Sequence, residues 1–311
     1  MADYSDDFQV SFDDRAGSCT IRFRCFDTPN AVTVYHAREL GQAHVENLLI
    51  DVRRDCLRAH MLWSFTRPGS DICAINASRS SVDIDPLTAE LVERMMAFCA
   101  EEPQFDFTIG PVSYLWKTAK ALPTEEQIAQ AVEHVGAGKI VLSGTRVKKD
   151  DPLVKIDIGG GAKGFMADKI AGRLRDGGVL SADVDLGGNL YMLGDHPSGR
   201  PWRVAVKVPE GIDVEPTILD VSDASVVTSG SYERFVEIDG VRYQHIIDAK
   251  TGWPVQSDIV SATVVSKSSL EADLLATVAC IVGSAGFAAL AKRHPSCAFM
   301  AFTRDSRILS S

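Results

Sequence analysis

The sequence predicts an α+β protein, and three observations carry that expectation. From residue 139 onward, apolar runs of strand length are interleaved with helical stretches. Neighbouring strand-like runs are joined by tight-turn sequences such as Glu237-Ile238-Asp239-Gly240, which favours largely antiparallel pairing over a doubly wound parallel sheet. The composition, 45% apolar and 24% charged over 311 residues, is that of a globular protein. A chain of this length can bury a large core without disulfide or metal staples.

The elements follow in order. Residues 20–26 alternate as a strand, and 31–35 follow a Thr-Pro-Asn turn. A long amphipathic helix is expected over roughly 36–61, where Leu40, Leu48, Leu49, Val52 and Cys56 recur near helical spacing. Residues 86–100 begin a second helix with proline in its first turn, and 125–135 a third. Strands are expected at 139–142, 154–158, 182–186, 202–208, 225–228, 235–238, 243–247 and 259–265, with helices at 163–175 and 268–282. Residues 274–291 carry no charge and reach the lower limit of a membrane span, but Gly283-Ser284-Ala285-Gly286 interrupts them. Two buried helices joined by a turn are expected there, with no membrane insertion.

Charge and cysteine usage narrow the partners. Thirty-two basic against 42 acidic residues leave a net charge of −10, a surface that repels phosphate backbones and makes nucleic acid a poor partner. An anionic ligand then needs a local positive group or a metal ion. The seven cysteines are dispersed, with no CxxC, and read as reduced thiols rather than a disulfide frame or zinc site. The opening MADYSDDFQVSFDD has no basic stretch followed by an apolar run, so a cytoplasmic location is expected.

Four glycine- or acid-bearing stretches could carry chemistry. Asp157-Ile158-Gly159-Gly160-Gly161-Ala162-Lys163-Gly164 leaves an expected strand and enters a helix. It is either a tight connection or a place where backbone N–H groups and Lys163 meet an anion. It does not match the Walker A pattern. Asp185-Leu186-Gly187-Gly188-Asn189 ends another strand and reads on its own as a turn. His245 and Asp248 flank an apolar pair within Tyr243-Gln244-His245-Ile246-Ile247-Asp248; His245 is either a packed histidine or a general base. Asp273 and Thr277 lie at i and i+4 on one helical face. They can share a hard cation such as Mg²⁺, or Asp273 can simply favour the helix N-terminus. An aromatic-rich segment, Phe105-Asp106-Phe107-Thr108-Ile109-Gly110-Pro111, followed by Leu115-Trp116-Lys117, suits a flat ring or a core.

In this order the motifs resemble the ApbE family of FAD:protein FMN transferases. The resemblance rests on Ser70-Asp71-Ile72 with Ile75-Asn76, Phe105-Asp106 with Thr108, Gly110-Pro111 and Leu115-Trp116, and Asp157 with Gly159-Gly160 and Ala162-Lys163-Gly164. It continues through Leu186-Gly187-Gly188-Asn189, Thr228-Ser229-Gly230 with Tyr232 and Arg234-Phe235, His245-Ile246-Ile247-Asp248 with Thr251-Gly252, and Asp273 with Thr277. It spans roughly 20–300, which implies a single domain over 20–311 behind an N-terminal extension, 1–19, and a T-fold-like α+β architecture.

The family's activity implies that FAD is the substrate, that Mg²⁺ is required, and that FMN passes to a Thr or Ser hydroxyl of an acceptor flavoprotein through a phosphoester, releasing AMP. The metal ligands then fall on the Gly160 carbonyl, Asp273 and Thr277, and the FAD pocket on Phe105, Asp106, Asp157, Lys163 and Ile247. Phe26 joins them because Phe26-Asp27-Thr28 stands where the family usually carries Met-Gly-Thr. His245, Asp273 and Lys163 are the residues expected to carry catalysis. Metal-dependent cleavage of FAD to FMN and AMP, or flavin binding without chemistry, are the alternatives.

Overall fold

Antiparallel strands open the chain in the computed structural model, which describes residues 7–230 and 235–311. They are β1 (Phe8–Asp13), β2 (Ser18–Cys25) and β3 (Thr28–Val34). β2 alternates as expected: Cys19, Ile21, Phe23 and Cys25 are buried, while Arg22 and Arg24 are exposed. The single helix expected over 36–61 is two, α1 (Ala37–Leu40) and α2 (Gln42–Leu62). Gly41, at φ 91°, breaks the helical path between them.

The middle of the chain begins with α3 (Asp71–Ala77), capped by the Ser70 hydroxyl, which accepts the Cys73 N–H at 3.1 Å. After β4 (Ser81–Asp83), α4 (Pro86–Glu101) starts with proline in its first turn behind Asp85, whose side chain accepts the Leu87 N–H. α5 (Gly110–Thr118) and α6 (Glu125–Val132) follow, α6 ending sooner than expected. β5 (Ile140–Ser143) and β6 (Arg146–Lys149) pair with β4 in a small sheet.

The strand expected over 154–158 does not form. Val154, Ile156 and Ile158 are buried in alternation, so the segment is patterned like a strand. Its hydrogen bonds, however, go to a side chain and a loop. Asn76 Nδ2 donates to the Ile156 carbonyl at 3.0 Å, and the Ile156 N–H donates to Asn76 Oδ1 at 2.7 Å. The Asp157 N–H donates to the Phe107 carbonyl at 2.7 Å. An amide takes the place of a neighbouring backbone, and no ladder continues.

The rest comprises α7 (Ala162–Asp176), β7 (Ala182–Leu186), β8 (Asn189–Leu193), β9 (Trp202–Val206), β10 (Thr217–Val221) and β11 (Ala224–Gly230). Then come β12 (Phe235–Ile238), β13 (Val241–Gln244), β14 (Ile259–Ser266), α8 (Ser269–Arg293), β15 (Ala298–Thr303) and β16 (Ile308–Ser310). β7 and β8 are joined by Gly187 and Gly188, both at positive φ, as a two-residue hairpin turn requires. A Cβ on Gly187 would also lie 2.3 Å from Thr28 Oγ1, so this turn needs glycine on steric grounds too.

Nine strands make the main sheet in the order β1-β2-β3-β7-β8-β11-β14-β15-β16, every neighbouring pair antiparallel. α2 packs on β2, α7 on β7 and β8, and α8 across β11 and β14, enclosing the main core. The β9–β10 hairpin covers a second apolar cluster around Trp202, Met192 and Val226.

α8 is long and apolar enough to cross a membrane, yet it packs inside the molecule, with Leu274, Leu275, Val278 and Ala279 at most 1% exposed. As expected, it is two helical halves. Gly283 takes a non-helical φ of 64° and ψ of −175° between them. Asp258 fixes the restart by accepting the Ser284 N–H at 2.9 Å. At the far end, Glu102 is 1% exposed beyond α4 and takes two hydrogen bonds from Arg293, at 2.7 and 2.6 Å, and one from His294 Nε2 at 2.8 Å.

Candidate active site

The connection 159–161 and the first turn of α7 meet the first turns of α8. Gly164 allows this approach: a Cβ there would lie 2.5 Å from the Ser269 carbonyl oxygen. Its N–H instead donates to Asp273 Oδ2 at 3.0 Å. Asp168, one turn later on α7, accepts from the Ser269 and Leu270 N–H groups and the Ser268 hydroxyl, capping α8 from its neighbour. The two helix starts are thereby locked together beside a cavity of about 240 Å³.

Nine of the ten residues expected at the site line this one cavity: Phe105, Asp106, Asp157, Gly160, Lys163, His245, Ile247, Asp273 and Thr277. They come from four separate stretches of chain. Phe105 is 8% exposed, and its ring meets Phe98 of α4 edge-on at 5.6 Å. Asp106 works mainly as a brace: its carboxylate accepts the Thr108 N–H at 2.8 Å and the Ala137 N–H at 3.0 Å, tying the aromatic loop to the turn before β5. Ile247 sits in a tight loop closed by Asp248 N–H to the Trp253 carbonyl at 3.0 Å and Gly252 N–H to the Asp248 carbonyl at 2.8 Å. Trp116 Nε1 anchors that loop by donating to the Gly252 carbonyl at 2.8 Å. His245, just before it, is exposed on the cavity wall.

Phe26 stands apart. It occupies the β2–β3 turn at φ 53°, stacks on Trp63 at 6.2 Å, and does not line the cavity. Its ring gains more from that apolar partner than from solvent. Of the motif from Thr228 to Phe235, Thr228, Ser229 and Gly230 line the cavity, whereas 231–234 lie outside the described residues.

Two charges define the electrostatics. Burial pushes the Asp273 carboxyl up to about 6, against the pull of the Lys163 ammonium, the Gly164 N–H and the Asn189 side chain. Burial also raises Asp157, but Lys117, the Gly159 N–H and the Ser113 hydroxyl outweigh it and hold that carboxyl below the ordinary range. Lys117 Nζ is 3.0 Å from Asp157, and the Ser113 hydroxyl donates to it at 3.0 Å. Ser113 and Lys117 were not among the expected site residues. Their i, i+4 spacing on α5 is the signal that puts both beside one carboxylate.

The donor set suits a hard cation. Among the described residues there is no cluster of three His, Cys, Asp or Glu side chains, so a transition-metal cage is not built here. Asp273 is only 7% exposed and meets no arginine or lysine within ion-pair distance among the described residues, so its charge is under-compensated. Thr277, one turn on, donates to the Asp273 carbonyl at 3.2 Å and lies 3.3 Å from the Ser229 hydroxyl. A carboxylate, a hydroxyl and the backbone of Gly160 facing one cavity are oxygen donors of the kind Mg²⁺ prefers.

Comparison with known proteins identifies the family and the fold. Residues 26–301 match the ApbE family. A FAD:protein FMN transferase from Treponema pallidum (strain Nichols) is 33% identical over 90% of this chain and 83% of its own length. Another with that name, from Vibrio cholerae serotype O1, is 30% identical over 82% of this chain and 80% of its own. Among solved structures, a variant of the flavin transferase ApbE from Vibrio cholerae superposes with a TM-score of 0.83 at 26% identity, covering 94% of this chain and 97% of that one. The α+β, largely antiparallel fold expected from the sequence is that of these transferases.

Proposed function

Because the chain belongs to the ApbE family, we propose that it transfers FMN from FAD to an acceptor flavoprotein, joining it by a phosphoester to a Thr or Ser hydroxyl and releasing AMP, with Mg²⁺ required. The observation that carries this reading is the convergence of Gly160, Lys163, His245, Asp273 and Thr277 on one cavity from distant parts of the sequence.

The reaction needs a phosphorus centre held still, its oxygens neutralised, and the incoming and departing oxygens in line. Asp273, Thr277 and the Gly160 carbonyl would hold the Mg²⁺, which neutralises charge on the non-bridging phosphate oxygens. Lys163, in the first turn of α7, meets a second phosphate charge at the positive end of that helix's dipole. This local positive end reconciles an anionic substrate with a net charge of −10. Phe105 and Ile247 supply apolar wall, and Asp157 with Lys117 supplies a fixed polar pair.

His245 takes the proton of the acceptor hydroxyl as its oxygen bonds to the FMN phosphorus. The bond from that phosphorus to the bridging oxygen breaks, and AMP departs with the oxygen. The exposed position of His245 on the wall suits a group that must meet a second protein.

The test is incubation with FAD, MgCl₂ and a candidate acceptor, read by in-gel flavin fluorescence and AMP release. Fluorescent acceptor with matching AMP supports transfer. AMP without acceptor labelling, at multiple turnovers, means hydrolysis of FAD instead.

A further inference from the structure

Gln104 lines the cavity and has no task in the chemistry above. Its Oε1 is sealed from solvent yet accepts no hydrogen bond. No other residue lining this cavity has such an atom among the described residues. A buried acceptor left open is a cost to the free protein, and a ligand that supplies the missing donor removes it.

The backbone beneath Gln104 is held firmly. Glu102-Pro103-Gln104-Phe105 is a turn closed by the Phe105 N–H, which donates to the Glu102 carbonyl at 3.0 Å. Proline in its second position fixes one φ angle in advance. On one side Arg293 and His294 grip the Glu102 carboxylate, and on the other the Thr108 and Ala137 N–H groups hold Asp106. The last torsion of a glutamine, by contrast, is soft. The amide can therefore turn its oxygen to a donor entering the cavity while the turn stays in place.

An open acceptor says what it needs. Phosphate oxygens only accept, so they leave it unsatisfied. Phe105 and Ile109 make an apolar wall beside it, which suits a flat ring better than a hydrated sugar. We propose that Gln104 reads the substrate: its amide oxygen accepts an N–H from the edge of a planar nitrogen heterocycle packed against the Phe105 wall. This deepens the FAD reading given above and rests on it. FAD offers two such edges, the N3–H of the flavin and the exocyclic amine of the adenine.

The experiment titrates FAD into wild type and Gln104→Met by calorimetry, in metal-free buffer so that no turnover intervenes. Methionine keeps the length of the side chain and removes the amide. FAD affinity is expected to fall by roughly 3- to 10-fold. The free variant should melt no lower than wild type, because an open acceptor has gone. Two analogues then locate the donor: 3-methyl-FAD, which lacks the flavin N–H, and the hypoxanthine counterpart of FAD, which lacks the adenine amine. The difference between wild type and variant should vanish with one of them, and that one names the ring. A difference that persists with both, or vanishes with both, overturns the proposal. Should Gln104→Met fail to fold, Gln104→Ala is read in the same way. Unchanged FAD affinity in the folded variant sinks this proposal alone. Wild-type protein that binds no FAD sinks the reading of the cavity, and this proposal with it.

Discussion

A carboxyl group kept from water prefers its proton, and Asp273 is the residue where that preference matters most. Folding raises its pKa from 3.8 to about 6. The folded state therefore binds the proton more tightly, a stabilising effect that is complete below about pH 4 and lost as pH climbs through 6. Above that, the ion costs the metal-free fold about 3 kcal/mol. Without metal, Asp273→Asn should melt higher than the wild type at about pH 8 and lose that advantage near pH 4. Melting curves across this range check it, and an unchanging difference contradicts it. The same variant should lose Mg²⁺-dependent AMP release. His245→Ala separates from it in kind: transfer to the acceptor should fall by roughly 10²- to 10⁴-fold while FAD binding holds. Fluorescence titration with FAD and acceptor labelling measure the two effects.

At the scale of elements, the contact between α7 and α8 does the positioning. Gly164→Ala brings a Cβ to 2.5 Å from the Ser269 carbonyl oxygen, and backbone on both sides must give way. The helices should part, weakening the Gly164 N–H to Asp273 bond, with a destabilisation of about 1–3 kcal/mol. A lowered melting temperature together with poorer Mg²⁺ response is the expected pair. A lowered melting temperature alone would mean the contact is only packing. The same scale explains what the sequence conveyed and what it hid. Strand alternation in β2 and the break before Ser284 were legible because each is local. Residues 154–158 carried strand alternation too, but Asn76, far away in sequence, took the place of the partner strand. Hydrophobic spacing reports which side is buried and is silent about what bonds to the backbone.

Across the whole molecule, the site assembles segments from 104 to 281, so no single stretch announces it. The ordered motifs were enough to bring nine of ten expected residues to one cavity, because each motif fixes its own turn or helix start. Phe26 escaped because ring stacking onto Trp63 depends on how β2 meets α2, which spacing does not encode. Lys117 escaped because its partner, Asp157, is 40 residues away. A site built this way should respond as one body. FAD and Mg²⁺ together should slow amide hydrogen exchange in 105–110, 159–164 and 245–247 while leaving β15 and β16 unchanged. Protection confined to one of these segments would break the picture of a single binding cavity.

The Glu102 clamp has a mechanical consequence. The Phe105 N–H donates to the Glu102 carbonyl at 3.0 Å, so the aromatic wall hangs from the residue whose carboxylate grips Arg293 and His294. Asp273 and Thr277 lie on the first half of α8, whereas that grip holds the end of its second half, beyond the break at Gly283. Aromatic wall and second half of α8 are thus moored to one post, and the charged rung hangs one joint further along. A nudge there, well away from any phosphate, would reach the aromatic wall directly and the oxygen ligands through the joint at Gly283.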